Sequence, residues 1–184
     1  MIMTVIYANM LDDDCRILQE MWRGFNDINL IEIRPDSVDW EETVDAAIAA
    51  ETDTLIFAGH GTTQGLLFPD FNRGEYIIHQ FNVNLIRAKR VICSWCHAST
   101  FVRDNHLHAF ATSMFITNVN ESYDNSIMNY TQEQINNNSL RFQQEMNYLL
   151  RENIPMDEWV MRLGAHMDIE NAVDVFNRQA LYYD

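Results

Sequence analysis

The sequence has few basic residues for its length. Only 12 of its 184 residues are Lys or Arg, against 27 Asp and Glu, which gives a net charge of −15 at pH 7. Nucleic-acid binding is disfavoured, because a phosphate backbone attracts a surplus of basic side chains. The acids either solvate helix faces or attract a basic peptide or protein partner.

Cysteine and long apolar runs are also scarce. Three cysteines are an odd and small number, so no disulfide framework is expected. No apolar run approaches the roughly 18 residues of a membrane span, and the first residues lack the basic segment of a secretory signal. We therefore expect a cytoplasmic protein without a membrane partner, in a reducing compartment where free thiols persist.

The rest of the composition is that of a globular protein, with 47% hydrophobic and 21% charged residues. Residues 1–184 are predicted to form one domain, because neither a repeat nor a linker divides them. Helical segments separate five apolar runs that predict strands, at residues 2–8, 28–33, 55–58, 90–95 and 114–117. This alternation predicts an α/β fold, a three-layer α/β/α sandwich with a mostly parallel, doubly wound sheet.

The core of this sandwich is expected within residues 1–121, followed by a mostly helical region over residues 122–184. An excursion over residues 62–81 contains short extended pieces and resembles a hairpin. The polar cluster at residues 136–139 predicts a loop or a break in the C-terminal helices. For this C-terminal region the sequence leaves two binding partners open: another protein or a second copy of the chain.

Two of the apolar runs end abruptly in side chains that carry catalytic chemistry. Residues 55–58 lead through Gly59 into His60, and residues 90–95 lead into Cys96. The carboxyl ends of adjacent parallel strands share one crevice, where ligands usually bind. We therefore expect His60 and Cys96 to meet there, since a thiol and an imidazole are the minimum parts of a cysteine nucleophile.

The same residues allow cofactor interpretations, which we consider weaker. Cys93, Cys96 and His97 match the spacing of covalent haem attachment, and the two cysteines match that of a redox pair. Haem attachment normally takes place in an exported compartment, and side chains three apart on a strand point to opposite faces. Zinc bound by these residues with His106 or His108 lacks a second paired-cysteine motif. No metal or other cofactor is therefore expected.

The two strand ends resemble those of the caspase-like cysteine peptidases, which include caspases, metacaspases, legumains, gingipains, separases and CHAT domains. Residues 90–99 are most similar to the CHAT strand, which ends in Ser-Ala-Cys followed by a polar residue and small residues. The resemblance covers roughly residues 2–120. It implies a caspase-like fold, with His60 as general base, Cys96 as nucleophile, and the backbone N–H groups of Gly61 and Cys96 as oxyanion donors.

The resemblance also places the pocket for the side chain before the scissile bond among the ends of the first, fourth and fifth strands. An acidic pocket there would favour Arg or Lys in the substrate. The simpler interpretation of the acids near residue 13 is that they cap a helix. The residues at these strand ends are Asn9, Asp12, Asp13, Asp14, Ser94, Asn120, Glu121 and Asp124.

The sequence thus predicts a cysteine endopeptidase that cleaves a peptide or protein substrate through an acyl-enzyme, with a preference for basic residues. Three features depart from the family: Trp95 stands where a small residue is usual, His97 directly follows the cysteine, and no sixth strand is visible after residue 121. Two alternatives are a catalytically silent interaction module and a cysteine hydrolase acting on a small amide.

Overall fold

The structure is a computed structural model that describes residues 3–184. Nine strands lie within this range and form two sheets. They are β1 (Met3–Ala8), β2 (Ile28–Ile33), β3 (Thr54–Ala58), β4 (Gly61–Thr62), β5 (Gly65–Leu67), β6 (Tyr76–His79), β7 (Arg90–Ser94), β8 (Phe110–Thr112) and β9 (Leu181–Tyr183).

Seven α-helices connect and flank the strands in the same range: α1 (Asp13–Leu18), α2 (Trp40–Ala50), α3 (Ala98–Asp104), α4 (Val119–Asp124), α5 (Gln132–Arg151), α6 (Trp159–His166) and α7 (Ala172–Gln179). Short 3-10 turns occupy Gln19–Trp22, Val83–Leu85 and Met156–Glu158. None of the helices in residues 3–184 combines the length and apolar character needed to cross a membrane.

The larger sheet has six strands in the order β2-β1-β3-β7-β8-β9. The first five are parallel, and β9 runs antiparallel to β8. This confirms the predicted α/β class with a mostly parallel sheet. The C-terminal region, expected to be helical, supplies β9 as a sixth strand that the sequence did not reveal.

Helices cover both faces of this sheet, in keeping with three layers. Alternate residues of β1 divide between the faces: Met3, Val5 and Tyr7 belong to a core with α1, α5 and α6, whereas Ile6 and Ala8 belong to a core with α2 and α3. The alternation continues in β3 and β7. These strands are buried on both faces, as expected for the centre of a doubly wound sheet.

The excursion after His60 forms the second sheet, with three antiparallel strands in the order β4-β5-β6. Leu66, Ile77 and Ile78 are fully buried and join the core shared by α2 and α3. The predicted hairpin-like excursion is therefore present, with one strand more than a hairpin has.

The fifth parallel strand lies earlier in the chain than predicted. It is β8, and residues 114–117 have no regular secondary structure. The Asn177 side chain accepts a hydrogen bond from Ile116 N at 2.7 Å and donates one to Ile116 O at 3.1 Å. A side-chain amide thus satisfies the backbone that a neighbouring strand would otherwise satisfy. The helix α3 before β8 ends at Asp104.

The predicted break at residues 136–139 is wrong, since these residues lie inside α5. Thr131 and Gln134 form a capping box that starts this helix. Packing outweighs the weak helix propensity of asparagine. The apolar side chains that α5 buries are Ile135, Phe142, Met146, Leu149 and Leu150.

Candidate active site

The segments that follow four neighbouring parallel strands converge on one cleft. The segment carrying α1 follows β1, His60 follows β3, Cys96 follows β7, and residues 113–121 follow β8. The order of the strands reverses beside β1, because β2 lies on one side of it and the later strands lie on the other. Ligands of open α/β sheets bind at such a reversal. The cleft has a free volume of about 50 Å³ and is lined by His60 and Cys96, as predicted.

The backbone before His60 approaches both neighbouring strands closely. Gly59 N donates a hydrogen bond to Ser94 O at 3.2 Å, which links the ends of β3 and β7. Gly59 has a φ of +152°, and an added Cβ would lie 2.7 Å from the Cβ of Ala8 on β1. Only glycine fits this position, and its fit brings His60 to the shared edge.

A carboxylate holds the imidazole of His60. Its Nε2 lies 2.7 Å from Oδ2 of Asp12, whose Oδ1 accepts the N–H of Cys15 at 2.8 Å as the N-cap of α1. Burial raises the pKa of Asp12, but the hydrogen bonds from Cys15 and His60 outweigh burial and leave the pKa below its usual value. An ionised Asp12 accepts the Nε2 proton, which leaves Nδ1 as the basic nitrogen of the neutral ring.

This pairing is the functional contact that sequence reasoning missed. The sequence predicts that Asp12 caps a helix or binds substrate, and it points to no third residue beside His60 and Cys96. The helix cap is confirmed, and the same carboxylate also serves the imidazole. The only available signal was that Asp12 follows the strand next to the one that leads to His60.

Cys96 lies in the turn between β7 and α3 and is partly buried. Burial raises its pKa to about 11, with the backbone N–H of Phe115 opposing this rise and the charges of Glu121 and Asp14 adding to it. The resting thiol is therefore protonated at neutral pH. A nucleophile here needs a base that removes the proton during attack.

His97 follows in the left-handed region, with a φ of +65°, and its side chain is exposed. The helix α3 starts at the next residue, Ala98. A strained residue at a sharp strand-to-helix turn is common where a nucleophile must be presented. His97 therefore lies in the turn and does not line the cleft, whereas Trp95 and Cys96 do.

Trp95 leaves room in the cleft although it is large. Its ring is 3% exposed and packs edge-on against Phe101 in the core under α3, at 5.5 Å between centroids. Its Nε1 donates a hydrogen bond to Thr62 O at 3.1 Å. The indole is therefore directed largely into the core, although Trp95 is among the residues that line the cleft.

The lining of the cleft also includes carboxylate and amide side chains. Thr117 Oγ1 lies 3.0 Å from both Asp14 Oδ2 and Glu121 Oε2. Burial raises the pKa of Asp14, which the hydrogen bond from Thr117 opposes and the charges of Asp12 and Glu121 reinforce. Gln143 of α5 is 4% exposed, and its buried Oε1 has no hydrogen-bond partner among the described residues.

The predicted substrate-binding residues divide into two groups. Ser94 and Glu121 line the cleft, and Asp12 contacts it through His60. Asp13 and Asn120 do not line it: Asp13 is exposed and pairs with Arg16, and Asn120 is exposed on α4. The further strand-end residues Asn9 and Asp124 also lie outside the lining, while Asp14 is part of it.

No protein-family model, curated protein or solved structure shows a significant match to the chain. The case for its chemistry therefore comes from the cleft itself. A protonated thiol, an imidazole paired with a carboxylate, and backbone N–H groups at strand ends are the parts of an acyl-transfer site. A donor set for a metal ion is also present, since the ligand atoms of Asp12, Cys15 and His60 lie within 4.8 Å of one another.

Proposed function

We propose that the protein is a cysteine peptidase of caspase-like type, with Cys96 as nucleophile and His60 as general base. The observation that carries the proposal is the convergence of these two residues on one cleft, with Asp12 bonded to the far nitrogen of the imidazole. The central sheet adds support, because it contains the sixth strand whose apparent absence counted against the resemblance.

The thiol is neutral before reaction, so attack and proton transfer are coupled. As Cys96 Sγ bonds to the carbonyl carbon of the substrate, its proton moves to Nδ1 of His60 and the carbonyl oxygen becomes an oxyanion. The N–H groups of Gly61 and Cys96 are the proposed oxyanion donors, each worth about 3 kcal/mol. The imidazolium then protonates the leaving amine, the C–N bond breaks, and an acyl-enzyme remains.

Water completes the cycle. His60 takes a proton from a water molecule as its oxygen bonds to the acyl carbon, and returns that proton to the departing sulfur of Cys96. The products are a carboxylic acid and the free thiol. Asp12 is a positioning residue in both half-reactions, because its carboxylate fixes the ring tautomer and stabilises the imidazolium.

We further propose that the substrate presents Arg or Lys before the scissile bond. Asp14 and Glu121 supply negative charge, Gln143 Oε1 supplies a buried acceptor without a partner, and no Lys or Arg of the described chain lines the cleft. A free volume of about 50 Å³ equals about four water positions. A planar guanidinium has four heavy atoms and five N–H donors, so it matches both the size and the acceptors.

Covalent labelling tests the nucleophile directly. An acyloxymethyl ketone carrying Arg should add once per chain at Cys96, located by mass spectrometry of the digested protein. Cys96→Ala should abolish the adduct, and His60→Ala and Asp12→Asn should slow it by at least tenfold. His79→Ala is the matched control, because that imidazole lies in the small sheet away from the cleft, and it should react at the wild-type rate.

Cleavage of peptide reporters tests the substrate class. Arg and Lys reporters should be cut at least tenfold faster than Asp or Leu reporters, and Asp14→Asn should remove most of that preference. An adduct on Cys15 or Cys93, or a full panel left uncut by protein with a reactive Cys96, would contradict the peptidase and favour a silent interaction module.

The small cleft also fits the alternative of a hydrolase for small amides, which uses the same residues. The two functions differ in the part of the substrate that lies beyond the reacting carbonyl. Cleavage of single amino-acid amides at rates equal to or above those of matched peptides would support the small-amide hydrolase.

A further inference from the structure

We propose that Asp12, Cys15 and His60 form a zinc site, and that zinc bound there switches the hydrolase off. The inhibition rests on the proposed function, whereas the binding of the metal does not. Cys15 has no part in the proposed reaction, yet it is a fully buried thiol that lies beside the imidazole of the dyad.

The three donors are of the kinds that zinc prefers. They offer one sulfur, one imidazole nitrogen and one carboxylate oxygen, all within 4.8 Å of one another. Ligand atoms around a tetrahedral zinc ion lie about 3.3–3.8 Å apart, given bond lengths of about 2.0–2.3 Å. The required movements are therefore on the order of 1 Å. Three protein ligands leave the fourth position to water.

The local fold brings two of the donors together before any metal arrives. Asp12 is the N-cap of α1 and Cys15 lies in its first turn, three residues later, so both side chains belong to the same end of the helix. Oδ1 of Asp12 is occupied by the Cys15 N–H, whereas Oδ2 faces His60 Nε2 at 2.7 Å. Zinc can bind Oδ2 while Oδ1 keeps the helix cap.

The thiol of Cys15 makes only long contacts. Its Sγ donates to Ala8 O and accepts from Met10 N, each at 3.5 Å. When zinc binds, the S–H bond breaks, the electron pair of sulfur forms the Zn–S bond, and the proton leaves to solvent. No electrons are transferred, and the Asp12 carboxylate and the His60 ring bind without losing a net proton.

The effect on catalysis follows from the tautomer of His60. Zinc on Nε2 takes the place of the proton shared with Asp12, so the ring carries its proton on Nδ1. That nitrogen can then no longer accept the proton of Cys96. Nearby charge favours the ion, because Asp14 adds a further carboxylate beside the cleft and no Lys or Arg of the described residues lines it.

Cobalt titration tests the binding without reference to activity. The reduced full-length chain carrying Cys96→Ala, which removes the proposed nucleophile, should bind one Co²⁺ per chain and show a thiolate-to-cobalt charge-transfer band in the near ultraviolet. Zn²⁺ should displace the cobalt and bleach the band. Adding Cys15→Ser or Cys15→Ala should remove the band and weaken binding at least tenfold, with the fold checked by circular dichroism.

Cys93→Ala is the matched control, because that thiol is buried on the other face of the sheet, and it should leave the titration unchanged. A band that persists in folded Cys15→Ser protein, or no bound cobalt, would overturn the site. With Cys96 present, Zn²⁺ should block labelling of the wild type, a chelator should restore it, and Cys15→Ser should resist the block. Zinc bound through Cys15 without slower labelling would overturn the switch and leave the peptidase proposal standing.

Discussion

Gly61 lies directly against the indole of Trp95, so that a Cβ added to Gly61 would stand 2.1 Å from Cδ1 of the ring. Gly61 follows His60 in the chain, and Trp95 precedes Cys96. The immediate neighbours of the proposed base and nucleophile are therefore in contact with each other. The hydrogen bond from Trp95 Nε1 to Thr62 O strengthens the same link. The packing of Gly61 on the Trp95 ring thus helps to fix the positions of the two proposed catalytic side chains.

Gly61→Ala should damage both stability and activity. The new methyl group overlaps the indole, and overpacking of this kind costs about 1–3 kcal/mol. We expect the free energy of unfolding in urea to fall by about 2 kcal/mol and the labelling of Cys96 to slow at least tenfold. Gly74→Ala is the control, because nothing lies within 4 Å of its added Cβ. It should lose about 1 kcal/mol through its positive φ alone and label normally.

Alkylation of Cys96 should be slow at neutral pH and rise steeply with pH. Burial raises the pKa of this thiol to about 11, so the thiolate fraction grows about tenfold per pH unit below that value. The rate constant with iodoacetamide should increase from about pH 8 to about pH 10 without a plateau. The Cys96→Ala variant supplies the background from the two buried cysteines. A rate that is half-maximal near about pH 8.5, as expected for an exposed thiol, would contradict the described environment.

Gln143→Met should stabilise the protein while weakening its hold on basic substrates. The buried Oε1 has no partner, and an unpaired buried polar atom costs about 1–3 kcal/mol. Methionine keeps the length of the side chain and removes the acceptor. We expect a higher free energy of unfolding in urea and a KM for an Arg reporter raised about fivefold, with kcat nearly unchanged. A stabilised variant with an unaltered KM would show that Gln143 does not contact the substrate.

Asn177→Ala should destabilise the protein strongly although it lies outside the cleft. Its amide makes both hydrogen bonds to the backbone of Ile116, and the side chain is 1% exposed. Removal leaves a buried N–H and a buried carbonyl unpaired, at a cost of about 2–4 kcal/mol. Asn120→Ala, on the surface of α4, should change the free energy of unfolding by less than about 0.5 kcal/mol. Equal effects of the two substitutions would argue against this role.

The sequence predicted those features that depend on neighbouring residues. Apolar runs closely predicted the bounds of four of the five parallel strands. The abrupt ends of two runs at His60 and Cys96 predicted the shared cleft. The runs over residues 55–58 and 90–95 form the adjacent strands β3 and β7, with Ala58 beside Ser94. Strand length and burial are local signals, so one sequence is enough to read them.

The features that escaped prediction depend on contacts between distant residues. Asp12 and His60 are 48 positions apart, and Asp12 alone has the pattern of a helix cap, which it also is. Asn177 replaces a strand neighbour for Ile116 across 61 positions. Phe115 and Ile116 pack into two different cores, which imitates the alternation of a strand without its hydrogen bonds. A side chain that takes over the hydrogen bonds of a neighbouring strand produces no periodic pattern in the sequence.

The pairing of the last strand, β9, affects how the protein folds. This strand pairs with β8, and Ser113 N donates to Ala180 O just beyond that pairing. This edge of the sheet closes only when residues 110–112 meet residues 181–183, which lie far away in the sequence. The segment after β8 that lines the cleft therefore rests on a pairing between distant parts of the chain, and contacts of that kind form slowly during folding.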